Sequence, residues 1–104
     1  ERFDSLSPVG LGFLKNIVDQ CNATQTPISL CGEMAGRPLD AMALIGIGFR
    51  SLSMAPSSIG PVKTMIRSLS VCELKLYLDS IKNIDEHSLR EQLHQFAIER
   101  GVIV

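Results

Sequence analysis

The chain has 104 residues, 45% of them hydrophobic and 20% charged, and a net charge of −1. That length is one domain's, with apolar content sufficient for a core. The near-neutral balance excludes the basic footprint that nucleic acid or an anionic membrane surface would select. The longest apolar stretches, such as Ala41 to Ile47, fall far short of the roughly 20 residues of a membrane span, so a soluble protein is expected. Three cysteines at unpaired spacings, with no signal-peptide pattern, point to a reducing cytoplasm and away from a disulfide framework. Asn22-Ala23-Thr24 matches a glycosylation acceptor and carries no weight without a secretory context. The start at Glu1-Arg2, without an initiator Met, reads as an excised segment.

Ser7-Pro8 marks a helix start, with Ser as N-cap and Pro at the first helical position. Val9, Leu14, Ile17, Val18 and Cys21 then recur at helical spacing and are the predicted buried face. Asn22 to Pro27 is turn chemistry, and Ile28 to Cys31 reads as a short strand. Its alternation sends Ile28 and Leu30 to one face and Ser29 and Cys31 to the other. Pro38 starts a second helix through Met42, Leu44 and Ile45, broken at Gly46-Ile47-Gly48.

Phe49 to Met54 reads as a second strand, with Leu52 and Met54 opposite Ser51 and Ser53. Pro56-Ser57-Ser58 leads into a third helix over Pro61 to Leu69, facing inward with Val62, Met65, Ile66 and Leu69. Ser70-Val71-Cys72-Glu73 is a capping box for a fourth helix carried by Leu74, Leu78 and Ile81. Asn83-Ile84-Asp85-Glu86 caps a fifth, carried by Leu89, Leu93, Phe96 and Ala97 and ended by Gly101. The Gly-x-Gly pairs at Gly10 and Gly46 lack the strand-to-helix context of a nucleotide fingerprint and read as helix punctuation.

The predicted order is therefore α-β-α-β-α-α-α in one unit, 1–104, without an internal boundary. A helix between two strands implies a parallel pair, and parallel sheets occur almost only inside larger α/β assemblies. Small polar residues on one strand face suit the crowded interior of a closed barrel near its mouth. The fold class expected is α/β: the last two βα units, plus terminal helices, of a (β/α)8 TIM barrel that in full needs about 250 residues. Cys31 then stands at the C-terminal end of a barrel strand, where such enzymes keep their chemistry.

The run Ser29-Leu30-Cys31-Gly32-Glu33-Met34-Ala35-Gly36, the helix ending Gly46-Ile47-Gly48, and residues 51–70 (SLSMAPSSIGPVKTMIRSLS) resemble the C-terminal end of the phosphoenolpyruvate-protein phosphotransferases, the enzyme I proteins of the sugar phosphotransferase system. Phe3-Asp4-Ser5-Leu6-Ser7-Pro8 extends the resemblance, which covers residues 1 to 80 well. Cys31-Gly32-Glu33 alone specifies only the superfamily shared with pyruvate phosphate dikinase and phosphoenolpyruvate synthase. Met34-Ala35-Gly36 and Ser53-Met54-Ala55-Pro56-Ser57-Ser58-Ile59 narrow it to the phosphotransferases, closest to the nitrogen-related PtsP branch. Arg37 departs from the pattern, since many relatives carry an acidic residue there; its place at a helix entrance bears on capping.

The resemblance implies a barrel that binds phosphoenolpyruvate and Mg²⁺, passing the phosphoryl group to a histidine on another domain and then to a small histidine-bearing carrier protein. It assigns Cys31 the protonation of the pyruvate enolate. Thiols suit this, being mostly protonated at neutral pH yet able to give and take a proton. Gly32 and Glu33 become candidates for substrate binding. The Mg²⁺ carboxylates, phosphate-binding arginines and phosphoacceptor histidine are expected upstream of Glu1, so the fragment alone is expected to be inactive.

Plainer readings stand beside these. Free cysteine is often a small core residue, and Cys21 and Cys72, on helices with apolar neighbours, are read as core or boundary residues. Gly32 satisfies turn geometry as readily as it admits substrate, and Glu33 as a solvated loop carboxylate is equally in keeping with its type. His87 and His94 read as surface residues. Ser57 and Ser58 read as caps of the third helix, whose N-terminus also suits an anion. A dikinase or synthase fragment is the alternative enzyme. A non-catalytic α/β module that self-associates, as a homodimer or by strand exchange, is the alternative class.

Overall fold

The computed structural model describes residues 6–31, 33–81 and 89–104, with the side chain of Glu33 outside that description. Helix α1 (Pro8–Ala23) starts as its sequence dictates: the N–H of Gly10 donates to Ser7 Oγ at 3.0 Å, and Pro8 occupies the first helical position. Its buried face is Gly10, Leu11 and Val18, with Leu14, Ile17 and Cys21 half-buried. Val9, expected inside, is 76% exposed. The inward stripe runs through Leu11, and Val9 lies about 200° round the helix from it. Gly10 and Gly12 sit inside α1 and do not punctuate it.

Strand β1 (Leu30–Cys31) pairs in parallel with β2 (Leu52–Ser53), Leu30 opposite Leu52 and Cys31 opposite Ser53. The parallel pair is as expected, and so is the alternation: Ile28, Leu30, Leu52 and Met54 are half-buried, whereas Ser29, Cys31, Ser51 and Ser53 are exposed. Both strands are shorter than Ile28 to Cys31 and Phe49 to Met54. Each has a partner on one edge only among the described residues, and a two-stranded ladder is marginal by itself.

Between the strands lie two helices where one was expected: the single turn α2 (Glu33–Gly36) and then α3 (Pro38–Ile47). Ala41, Met42, Ala43 and Leu44 of α3 are fully buried, as befits a helix apolar on every side. It packs against α1 and, further along the chain, against α4 (Pro56–Arg67), α5 (Val71–Ile81) and α6 (Arg90–Arg100). Gly46 continues α3, and Gly48 ends it with φ 122°, a conformation that favours glycine.

Helix α4 begins at Pro56, five residues before the expected start at Pro61. Ala55 is its N-cap and makes no side-chain bond, so Ser57 and Ser58 lie within the first turn and do not cap it. Pro61 falls at the start of the second turn, where its ring and missing N–H cost one bond to the carbonyl of Ser57. Val62 and Met65 are buried as expected, while Ile66 is exposed. In α5 the capping-box hydroxyl of Ser70 accepts from the N–H of Glu73 at 3.4 Å, and Leu74, Leu78 and Ile81 face inward. Cys72 is exposed because it lies off that stripe, which corrects its expected core or boundary placement; Cys21 is half-buried.

Leu89, Leu93, Phe96 and Ala97 are buried, and Gly101 closes α6 in the left-handed region. The expected cap at Asn83-Ile84-Asp85-Glu86 lies outside the described residues. Hydrogen bonds tie down α6 and the residues that flank it. Leu89 N–H donates to Leu6 C=O at 2.8 Å, the Tyr77 hydroxyl donates to Gln92 C=O at 3.2 Å, and Ile103 N–H donates to Ser68 Oγ at 2.9 Å. The architecture is α/β, mostly helical, around a small parallel sheet. No described helix is long and apolar enough to cross a membrane.

Candidate functional site

Cys31 is the last residue of β1, its side chain on the exposed face of the sheet beside Ser53, its partner in the register. Ser29 and Ser51 lie on the same face. A thiol there is open to small molecules and water, with the hydroxyl of Ser53 on the neighbouring strand. The strand pair is anchored by Leu30 N–H donating to Ser51 C=O at 3.1 Å. Leu30 and Leu52, opposite each other, pack against the core, so a one-residue slip of either strand would turn its polar side chain inward. That register keeps Cys31 facing out.

The chain turns immediately into α2. Gly32 lies outside the described residues, and of Glu33 only the backbone, which opens α2, is described. The other end of α2 abuts α4. A Cβ placed on Gly36 would meet Ser58 Oγ at 2.8 Å, Ser58 Cβ at 3.2 Å and Met54 Cβ at 3.5 Å. The loops leaving the two strand ends are therefore packed against each other beside Cys31. The first turn of α4 has no side-chain cap: Pro56 carries no N–H, and the Ser58 N–H donates to Ala55 C=O at 2.9 Å.

Arg37, at the N-cap of α3, brings its guanidinium to Asp40, with Nη2 2.8 Å from Oδ2. Asp40 is fully buried in the first turn of α3, and its Oδ1 accepts from Arg90 Nη1 at 2.7 Å. The approach of Arg37 is off the hydrogen-bond direction, so Oδ2 is held by charge without a directed bond. Sequence reasoning missed this cluster. An Asp in a first helical turn is ordinarily solvated, and its partner is 50 residues away.

The remaining cysteines and the described histidine, none of them expected at the site, lie on other elements. Cys21 and Cys72 lie on α1 and α5, His94 is exposed on α6, and His87 lies outside the described residues. Among the described residues no three of His, Cys, Asp and Glu converge as they would around a metal ion. A cleft of about 510 Å³ runs between α1, the end of α3 and α5, lined by Lys15, Asp19, Arg50, Lys75 and Asp79. Arg50 and Gly48 precede β2, which puts the cleft at the opposite end of the parallel strands from Cys31.

Comparison with known proteins places the chain in a family. Residues 1–71 match the PEP-binding domain of the PEP-utilising enzymes, PEP being phosphoenolpyruvate. The chain is 33% identical over 94 residues to the phosphoenolpyruvate-protein phosphotransferase of Borreliella burgdorferi, covering 90% of this chain and 16% of that protein. It is 35% identical over 91 residues to the phosphoenolpyruvate-dependent phosphotransferase system protein of Escherichia coli, covering 88% of this chain and 11% of that one. A phosphoenolpyruvate-protein phosphotransferase of Cupriavidus necator is 33% identical over 79 residues, 76% of this chain and 14% of its own length. The chain thus spans 11–16% of the relatives named here.

Proposed function

The chain belongs to the PEP-utilising enzymes, through their PEP-binding domain, and from that premise we propose that it is part of a phosphoenolpyruvate-protein phosphotransferase in which Cys31 is the proton donor. The observation that carries the reading is the similarity to phosphotransferases across about nine-tenths of the chain, joined to an exposed thiol at the end of a strand. The substrate in this reading is phosphoenolpyruvate, and the acceptors are a histidine of the longer protein and then a histidine-bearing carrier protein. Such an activity would belong to a protein several times longer than this chain.

In the proposed step the P–O bond of phosphoenolpyruvate breaks and a P–N bond forms at the acceptor histidine, leaving the enolate of pyruvate. The Cys31 thiol gives its proton to the methylene carbon, making a methyl group, and the thiolate regains a proton from water at the open face of the sheet. In reverse, the thiolate removes a methyl proton. Mg²⁺, in this reading, is held by residues outside the chain. Gly32, which follows Cys31 in the chain, and Glu33, which opens α2, are the proposed substrate-binding neighbours.

The finer fold proposal is the last quarter of a (β/α)8 barrel. Two parallel strands with helix between them support it, as does a groove of about 550 Å³ beside β2, lined by Ile45, Phe49, Leu52, Met54, Val62 and Ile66, apolar surface of the kind a further barrel layer would cover. Val9 and Phe13, one turn apart on α1 and 76% and 65% exposed, support contact with another subunit or domain, here taken as a homodimer. The nitrogen-related branch and a cytoplasmic location rest on sequence wording and cysteine usage.

The test is phosphoryl transfer from labelled phosphoenolpyruvate to a histidine carrier by the longer protein. Label in the carrier is the expected result. A product that phosphorylates free pyruvate from ATP, with no carrier labelled, would instead establish the dikinase or synthase alternative.

A further inference from the structure

Resting on that reading of Cys31, we propose that Asp40 and Arg90 are positioning residues for its thiol: the last helix, α6, holds the loop that follows β1 in place through their ion pair. The starting point is the burial of Asp40. Its side chain is 0% exposed, whereas those of Arg37 and Arg90 are 56% and 41% exposed. A buried carboxylate costs desolvation that an apolar residue would avoid, and α3 has Ala41, Met42, Ala43 and Leu44 fully buried alongside it. Simple core packing would not call for an acid here. What the acid adds is direction, because it fixes two cations from different parts of the chain to one point at the start of α3.

A path of contacts runs from that point to the thiol. Arg90 Nη1 donates to Asp40 Oδ1 at 2.7 Å, and Asp40 Oδ2 holds Arg37 at 2.8 Å. The main chain of Arg37 is bonded on both sides: its N–H donates to Met34 C=O at 3.5 Å, and its C=O accepts from Ala41 N–H at 2.7 Å. Met34 belongs to α2, which only Gly32 separates from Cys31. A helix of four residues has no stability of its own; its placement comes from α3 behind it and α4 beside it. Where α2 sits decides where β1 ends and how the thiol is presented.

Arg90 enters at the start of α6, itself fixed by Leu89 N–H on Leu6 C=O and by the burial of Leu93, Phe96 and Ala97. The anchor is therefore held by packing and by a hydrogen bond at the end remote from the site. Ordinary helix electrostatics add to it, since an acid in the first turn of α3 faces the positive end of that helix.

The experiment uses the longer protein and reads turnover and KM separately for exchange of solvent deuterium into the methyl group of pyruvate. Arg90→Met and Asp40→Asn should lower turnover by about 10- to 100-fold, the penalty of a slightly misplaced catalytic group, with KM for pyruvate within about twofold because the substrate's charged contacts lie elsewhere. Arg90→Lys, which keeps the charge, should recover a large part of the loss. Leu93→Ala is the stability control, loosening α6 by a cavity without touching the pair. Amide exchange over 34–41 should quicken in Arg90→Met and stay unchanged in Arg90→Lys.

Wild-type turnover in Arg90→Met and Asp40→Asn, beside an inactive Cys31→Ala, would overturn the positioning role and leave the proton donor standing. Equal loss in Leu93→Ala at unchanged KM would overturn it too, by showing that stability alone is at work. Full exchange in Cys31→Ala would remove the proton-donor reading and this proposal with it. Should Asp40→Asn fail to fold, the two Arg90 variants decide, since that side chain is partly solvent-exposed.

Discussion

Gly36 and Ser58 meet without room for one more carbon: a Cβ on Gly36 would lie 2.8 Å from Ser58 Oγ and 3.2 Å from Ser58 Cβ. The hydroxyl can rotate away, but the Cβ is fixed to the first turn of α4. Gly36→Ala must therefore push the loops after β1 and β2 apart, at a cost of about 1–3 kcal/mol for an overpacked contact. The expected result is a lower denaturation midpoint together with slower deuterium exchange into pyruvate. Gly36→Ala with both properties of the wild type would show that the two loops move independently.

Two other helical glycines should respond in opposite directions. A Cβ at Gly46 would fall 2.6 Å from Leu78 Cδ1 and 2.8 Å from Leu74 Cδ2, both on α5, whereas one at Gly12 meets nothing within 4 Å. Gly12→Ala should raise stability by up to about 1 kcal/mol through helix propensity alone. Gly46→Ala should lower it, since separating α3 from α5 by overpacking costs about 1–3 kcal/mol and outweighs the same propensity gain. Urea unfolding of the two variants checks the sign; stabilisation by both would mean that α5 yields freely.

Tyr77 predicts a pH dependence on the alkaline side. Burial raises its phenol above the usual 10.0, and the negative charge of Glu99 raises it further. The unfolded chain releases this proton at about pH 10, while the folded chain keeps it to a higher pH. Between the two values the folded state binds more protons, so stability falls as pH rises through that window and is unaffected by this group below it. Tyr77→Phe should remove that part of the slope, at the cost of the 3.2 Å bond to Gln92 C=O. Glu99→Gln should shrink it without abolishing it, because burial is the larger cause. Denaturation midpoints from about pH 8 to 11 test this, and an identical slope in Tyr77→Phe would refute it.

Much of the site was legible because its signals are local. Ser7-Pro8, the Ser70 capping box, the Gly48 and Gly101 helix ends and the alternation that turns Cys31 outward all depend on residues a few positions apart. Features set by distant partners were not legible. Val9 misled because helical spacing fixes a stripe's period but not which stripe meets the core. Pro61, expected at the helix start, lies inside α4 because Pro56 holds the first helical position, where a proline loses no bond; Pro61 then forfeits one. The pair of Asp40 and Arg90 left no sequence signal, since neither residue type nor spacing ties a first-turn acid to an arginine on the final helix.

The role of Cys31 is the central claim, and solvent deuterium entering the methyl group of pyruvate tests it most directly. In the longer protein, Cys31→Ala should lose this exchange almost entirely, with Cys21→Ala and Cys72→Ala retaining it. Exchange at the wild-type rate in Cys31→Ala would contradict the account, leaving the thiol at the end of β1 without a part in the chemistry.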